Sequence, residues 1–106
     1  MGAGGTAMAV RAAVSTEADV IRLFKSVDDS LGPVTALVNN VGIVEQQTRV
    51  ENMAATRLNR VFAVNVTGSF LCAREAIRRM SIKHGGSGGA IVNVSSLAAE
   101  LGGPGE

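Results

Sequence analysis

Two pairs of polar side chains stand out in the sequence because each pair directly follows a short run of apolar residues. Asn39 and Asn40 form the first pair, and Ser95 and Ser96 form the second. Amide and hydroxyl groups donate and accept hydrogen bonds, so the chemistry open to both pairs is the binding of a polar small molecule. The sequence therefore nominates these residues as parts of a ligand site.

The remaining reactive residue types indicate no second site. The single cysteine, Cys72, cannot form an internal disulfide, and no Cys or His cluster has the spacing of metal ligands, so we predict no metal site and a reducing, cytoplasmic setting. The place of His84, before a run of glycines, is typical of a helix C-terminal cap. The net charge is +1 without a basic stripe, and no apolar stretch approaches the roughly 20 residues that span a bilayer. Neither nucleic acid nor a membrane is expected as a partner.

Hydrophobic periodicity predicts five elements in the order strand, helix, strand, helix, strand. They span residues 7–14, 16–31, 35–39, 54–82 and 90–94. The first helix is capped by Ser15 or Thr16 and is stopped by Gly32 and Pro33. The apolar run in 35–39 is typical of a strand that is buried on both faces.

Alternating strands and helices predict an α/β fold, a partial, Rossmann-like doubly wound parallel sheet with three strands and two main helices. In such sheets ligands bind beyond the carboxyl ends of the strands, so the polar pairs after 35–39 and 90–94 should share one site. Asn65 lies on the apolar face of helix 54–82. A polar residue there either caps a local kink or serves chemistry.

Three segments carry motifs on these elements: Leu37-Val38-Asn39-Asn40-Val41-Gly42, Val61-Phe62-Ala63-Val64-Asn65-Val66-Thr67-Gly68 and Ile91-Val92-Asn93-Val94-Ser95-Ser96. Their order and spacing resemble the short-chain dehydrogenase/reductase family. The resemblance implies that residues 1–106 are the central part of one NAD(P)-binding Rossmann-like domain, truncated at both ends. It also implies an oxidoreductase that uses NAD or NADP and moves a hydride between the nicotinamide and a small alcohol or carbonyl substrate.

The resemblance implies a role for eight residues. Asn65 takes the place of the family's catalytic asparagine, which bends its helix and holds a water in the proton relay. Ser96 takes the place of the serine that hydrogen-bonds the substrate carbonyl, although two serines at a strand end otherwise indicate simple strand termination. The implied cofactor contacts are Val14, Asn39, Val41, Gly42, Val94 and Ser95.

Two parts of the family's machinery have no counterpart in the sequence. The glycine-rich turn that holds the pyrophosphate is absent, and without any tyrosine there is no Tyr-x-x-x-Lys pair, so we expect the chain to be inactive alone. The predicted strand 7–14 would also lack the two strands that separate it from 35–39 in this fold. An alternative function is a non-catalytic interaction module, in which helix 54–82 associates with full-length relatives or forms a homo-oligomer.

Overall fold

A computed structural model describes residues 4–102, which fold into two strands and four α-helices. In chain order the elements are α1 (Glu17–Leu31), β1 (Ala36–Asn39), α2 (Ala55–Phe62), α3 (Gly68–Met80), β2 (Ala90–Asn93) and α4 (Ala98–Leu101). Residues Ala63–Thr67 form a π turn between α2 and α3, and short 3₁₀ turns cover Val50–Asn52 and Ile82–His84. None of the described helices combines the length and the apolar character that crossing a membrane requires.

The two strands pair in parallel, as predicted, with Asn39 opposite Asn93. Leu37 of β1 packs against the core formed by the helices. Val38 and Val92 lie on the other face of the sheet and are 60% and 54% exposed. The prediction that strand 35–39 is buried on both faces is therefore wrong, because the described helices cover only one face of the sheet.

Residues 7–14 form no strand, so the sheet has two strands in the described part of the chain and not the predicted three. No described strand runs beside this segment, and an unpaired strand would leave its backbone N–H and C=O groups without partners. Two hydrogen bonds tie it to α1 instead. The Ala13 N–H donates to Asp19 Oδ2 at 2.9 Å, and Arg22 donates to the Arg11 carbonyl at 2.7 Å.

The predicted helix 54–82 is present as α2, the π turn and α3, but its apolar face is not continuous. In α3, Ala76 and Met80 are buried, whereas in α2 Leu58 and Phe62 are 41% and 60% exposed. A π turn holds more residues than a regular helical turn, so it rotates the residues that follow relative to those before it. The single predicted face is therefore divided between the core and the surface.

The core lies between α1 and α3. It joins Val20 and Phe24 of α1 to Cys72, Ala76 and Met80 of α3. Burying a side chain such as Val20 or Phe24 contributes about 1.5–3 kcal/mol. Because α3 also packs on β1, this core fixes the π turn close to the carboxyl ends of the strands.

Candidate functional site

A cleft of about 560 Å³ opens where β1 and β2 end and the π turn leads into α3. Its volume lies within the usual range for a small-molecule site. Seven of the eight residues predicted for the site line this cleft: Asn39, Val41, Gly42, Asn65, Val94, Ser95 and Ser96. The two strand ends and the helix therefore converge on one site, as the parallel sheet predicts.

Val14 lies apart from the other seven residues. It lines an adjoining apolar groove of about 280 Å³, together with residues of α1 and β1. It also packs against the start of α3, where a Cβ on Gly68 would lie 2.7 Å from Val14 Cγ2. The groove and the cleft share Asn39 and Val41, which form the boundary between them.

Asn65 is the central residue of the π turn, and both ends of its side-chain amide are bound to Ile43. Its Oδ1 accepts from the Ile43 N–H at 2.7 Å, and its Nδ2 donates to the Ile43 carbonyl at 2.8 Å. This pairing satisfies a polar group that would otherwise be unfavourable on a helix packed against protein. Asn65 therefore marks a local irregularity of the helix and also holds the loop that follows Gly42.

Side-chain amides connect the two strand ends. Asn39 Nδ2 donates to Asn93 Oδ1 at 3.0 Å and also approaches the Ser69 carbonyl at 3.4 Å. Sequence reasoning gave neither Asn93 nor Ser69 a role, although both line the cleft. Only the parallel register, which sets position 93 beside position 39, could have indicated the first of them.

Ser95 and Ser96 follow β2 and line the cleft. Ser96 Oγ accepts from the Ala98 N–H at 3.1 Å, which begins α4. A hydroxyl that accepts at one lone pair keeps its proton for donation, so Ser96 can still bind a ligand oxygen. The role in ending the strand and a role in binding are therefore compatible.

No ionisable side chain lines the cleft among the described residues. The nearby thiol of Cys72 is buried, and burial raises its pKa, which opposes formation of a nucleophilic thiolate. Residues 4–102 also contain no group of three or more His, Cys, Asp or Glu side chains placed to hold a metal ion. What the described lining offers a ligand is hydrogen bonding by neutral amides and hydroxyls.

We expect Asn65→Asp to loosen the loop that follows Gly42. The aspartate keeps an acceptor for the Ile43 N–H, but it sets a carboxylate oxygen against the Ile43 carbonyl in place of a donor. Losing one hydrogen bond and leaving an acceptor unpaired costs about 2 kcal/mol, which corresponds to roughly 30-fold faster local exchange. Amide hydrogen exchange of residues 42–45, followed by NMR, measures this effect.

Asn59→Asp is the matched control for this substitution. Asn59 is exposed on α2 and makes no side-chain hydrogen bond to another described residue, so the variant adds the same charge in the helix just before the π turn without touching Ile43. Exchange of residues 42–45 should stay near the unmodified rate. If the two variants exchange alike, the Asn65 pairing does not hold the loop.

Comparison with known proteins connects these residues to one family. Residues 1–106 match the family model described as short chain dehydrogenase. The chain is 56% identical over 104 residues to the Uncharacterized oxidoreductase YgfF of Escherichia coli, covering 98% of this chain and 42% of that protein. It is 35% identical over 103 residues to a 3-oxoacyl-(acyl-carrier-protein) reductase of Synechocystis, covering 97% of this chain and 40% of that protein. The chain thus spans about two fifths of the length of these relatives.

A solved structure shares the fold. The chain matches a double mutant of a Serratia marcescens short-chain dehydrogenase/reductase with a TM-score of 0.81 and 32% identity, over 92% of this chain and 38% of that one. This likeness confirms the predicted Rossmann-like α/β class, with two strands rather than three among residues 4–102. The match along the whole sequence and the likeness in structure show that the chain belongs to the short-chain dehydrogenase/reductase family.

Proposed function

We propose that the cleft is the nicotinamide and substrate side of an NAD(P)-dependent oxidoreductase site, which moves a hydride between the nicotinamide and an alcohol or carbonyl carbon. The observation that carries this proposal is the convergence of Asn39, Asn65 and Ser96 from three separate elements on one uncharged cleft. The chain spans about two fifths of its relatives' length, so its residues supply part of the machinery for this reaction.

The residues present fit one half of the cofactor. Gly42 leaves the backbone open to close approach, since even an added Cβ would come no nearer than 3.7 Å to Asn65 Oδ1. The start of α1 does not suit the pyrophosphate, because Glu17 and Asp19 place negative charge at the end of the helix that would otherwise attract phosphate. NAD or NADP would therefore contact the cleft through its nicotinamide and ribose, and the contact proposed for Val14 would lie in the adjoining groove.

Different residues of the cleft would contact the substrate, a water and the cofactor. The cofactor, when bound, supplies or accepts the hydride. Ser96 would donate a hydrogen bond from its hydroxyl to the substrate oxygen, and Asn65 would hold a water of the proton path. The cofactor side of the cleft would be formed by Asn39, Val41, Gly42, Val94 and Ser95.

The chain has no tyrosine to deliver the proton, so we propose that it is inactive alone. We also propose a reducing, cytoplasmic setting, which suits the buried Cys72 thiol.

A chimeric enzyme tests this function. The matching segment of the Escherichia coli oxidoreductase would be replaced by the 104 residues of this chain that are 56% identical to it. We expect the chimera to bind NADH or NADPH, detected by cofactor fluorescence, and to reduce at least one compound in a panel of ketones and aldehydes. A chimera that folds by circular dichroism but binds neither cofactor, while the unmodified oxidoreductase binds one, would overturn the proposal.

Within the chimera, Ser96→Ala should lower kcat/KM at least tenfold, because one hydrogen bond to a developing charge is lost. Ser87→Ala is the control, since Ser87 lies in the exposed glycine loop before β2. Rates that are equal in the two variants would contradict the assignment of the substrate oxygen to Ser96.

Exposed apolar residues on α2 and α3 favour a second candidate function, the interaction module. Phe62, Phe70 and Ile77 are 60%, 74% and 48% exposed, and exposed apolar side chains that form a patch mark interaction surfaces. Helix 54–82 would then associate with a second copy or with a full-length relative. Size-exclusion chromatography with light scattering should show a dimer that Phe62→Glu and Ile77→Lys together dissociate. A monomer at every concentration tested would exclude self-association.

A further inference from the structure

Two hydrogen bonds meet at Ser69, in the first turn of α3. Its hydroxyl donates to the main-chain carbonyl of Asn65 at 3.1 Å, and its own main-chain carbonyl lies 3.4 Å from Asn39 Nδ2. Ser69 is half-buried and lines the cleft. It is therefore connected both to the helical residue and to the strand-end residue of the site.

The hydroxyl of Ser69 bonds a main-chain carbonyl inside the π turn, four residues back. In a regular helix this carbonyl accepts from the backbone N–H of residue 69. The ladder is widened one step earlier, where the Gly68 N–H bonds the Ala63 carbonyl five residues back. Serine hydroxyls that bond four residues back compete with the regular ladder and bend helices, and π turns concentrate at functional sites.

We propose that Ser69 is a positioning residue of the site. Its hydroxyl holds the Asn65 carbonyl in the widened turn, which directs the Asn65 amide to Ile43, and its carbonyl keeps Asn39 close to the same turn. Its importance for catalysis rests on the proposed function, but the positioning is a property of the chain without any ligand.

The test compares Ser69→Ala with Ser69→Thr in the 106-residue chain. Alanine removes the donor, whereas threonine keeps a hydroxyl and should restore the bond. We expect the Ile43 amide to exchange about tenfold faster in the alanine variant, the equivalent of one net hydrogen bond, and near the unmodified rate in the threonine variant. The side-chain NH₂ resonances of Asn65 should shift in the alanine variant only.

Two further variants keep the test decisive. Ser30→Ala makes the same replacement in α1, where Ser30 is exposed and its hydroxyl has no bond to the described residues, and it should not change Ile43 exchange. Ser69→Val matches threonine in shape and lacks the hydroxyl, so it should behave like alanine. If alanine, valine and threonine give equal exchange, the inference is overturned.

The cofactor experiment remains separate from this one. In the chimera, Ser69→Ala should lower kcat more than it raises KM, and Ser69→Thr should recover most of kcat. A chimera without cofactor binding would defeat the proposed function and leave the exchange result on Ser69 intact. Unchanged exchange in a chimera that is active would defeat only the role of Ser69.

Discussion

Replacing Glu75 with glutamine is expected to lower the free energy of unfolding by about 3 kcal/mol, because the substitution removes the buried carboxylate at the centre of an ion network. Glu75 is 4% exposed. Its carboxylate accepts hydrogen bonds from Arg74 at 3.0 Å, from Arg78 at 3.0 Å and from Arg79 at 3.1 Å. A neutral amide cannot compensate three guanidinium groups, and its NH₂ would face them as a second donor.

The network matters beyond α3 because Arg79 also reaches α1. Its guanidinium donates to Asp28 at 2.8 Å and lies 5.1 Å from the centre of the Phe24 ring. Glu75 orients Arg79 for both contacts, and Phe24 belongs to the core. Loss of the carboxylate should therefore loosen the packing of α1 on α3, which is the interface that supports the sheet.

The same carboxylate gives the stability a pH dependence of known sign. Burial raises the pKa of Glu75, but hydrogen bonds from Arg79 and Arg74 and the charges of Arg78 and Arg74 outweigh burial, so the pKa lies below the ordinary value of 4.5. The unfolded chain then binds the proton more tightly than the folded one. The contribution of Glu75 is complete above about pH 4.5 and is lost as the pH falls through the lower folded-state value.

Urea unfolding followed by circular dichroism measures this prediction, first at pH 7 and then at decreasing pH. Glu17→Gln is the matched control, because Glu17 also binds Arg74, at 2.7 Å, but is 60% exposed, and exposed pairs contribute little. It should leave the urea midpoint almost unchanged. If Glu75→Gln unfolds at the same midpoint as the control, the network does not join the helices.

Hydrophobic periodicity predicted those elements whose formation depends mainly on the residues of one segment. The apolar stripe of α1 and the short runs of β1 and β2 are properties of single segments, and the parallel pairing followed from their alternation with helices. Residues 7–14 have an equally apolar run but form no strand, because a strand exists only beside another strand. Burial of Val38 likewise depends on a second layer of helices, which periodicity within β1 does not report.

The sequence predicted those site residues that belong to a motif. It did not predict residues whose role depends on contacts that only the folded structure shows. The motifs located Asn39, Asn65 and Ser96, and the fold brings them to one cleft. Ser69 bonds the Asn65 main-chain carbonyl inside the π turn, and helical periodicity reports neither that turn nor a hydroxyl bond of this kind. Asn93 faces Asn39 only through the register of two strands that lie 54 residues apart.

Gly86→Ala is expected to destabilise the chain by about 3 kcal/mol, at the upper end of overpacking effects, because the new methyl group would collide with backbone. A Cβ at this position would lie 2.5 Å from the Met80 carbonyl carbon and oxygen and closer still to the Arg79 carbonyl. Backbone atoms cannot move aside by changing rotamer. The segment is also held in place, since the Gly86 N–H donates to the Ser81 carbonyl at 2.9 Å.

The collision should also displace β2 in the sheet whose strand ends form the cleft. The Gly88 N–H donates to the Met80 carbonyl at 2.8 Å, and the Ala90 N–H donates to the Thr35 carbonyl at 3.1 Å, where the sheet begins. Displacing residues 86–88 from the end of α3 therefore shifts the start of β2 relative to β1. Loss of exchange protection at Ala90 should accompany the lower urea midpoint.

Gly5→Ala separates this steric effect from the general effect of adding a methyl group. A Cβ on Gly5 would meet nothing within 4 Å, and its φ lies outside the left-handed region, so the unfolding midpoint should change little. Gly88→Ala is not an equivalent control, since Gly88 has φ of 92° and would add backbone strain. If Gly86→Ala has the same urea midpoint as Gly5→Ala and its Ala90 amide stays protected from exchange, residues 86–88 can move without disturbing the sheet.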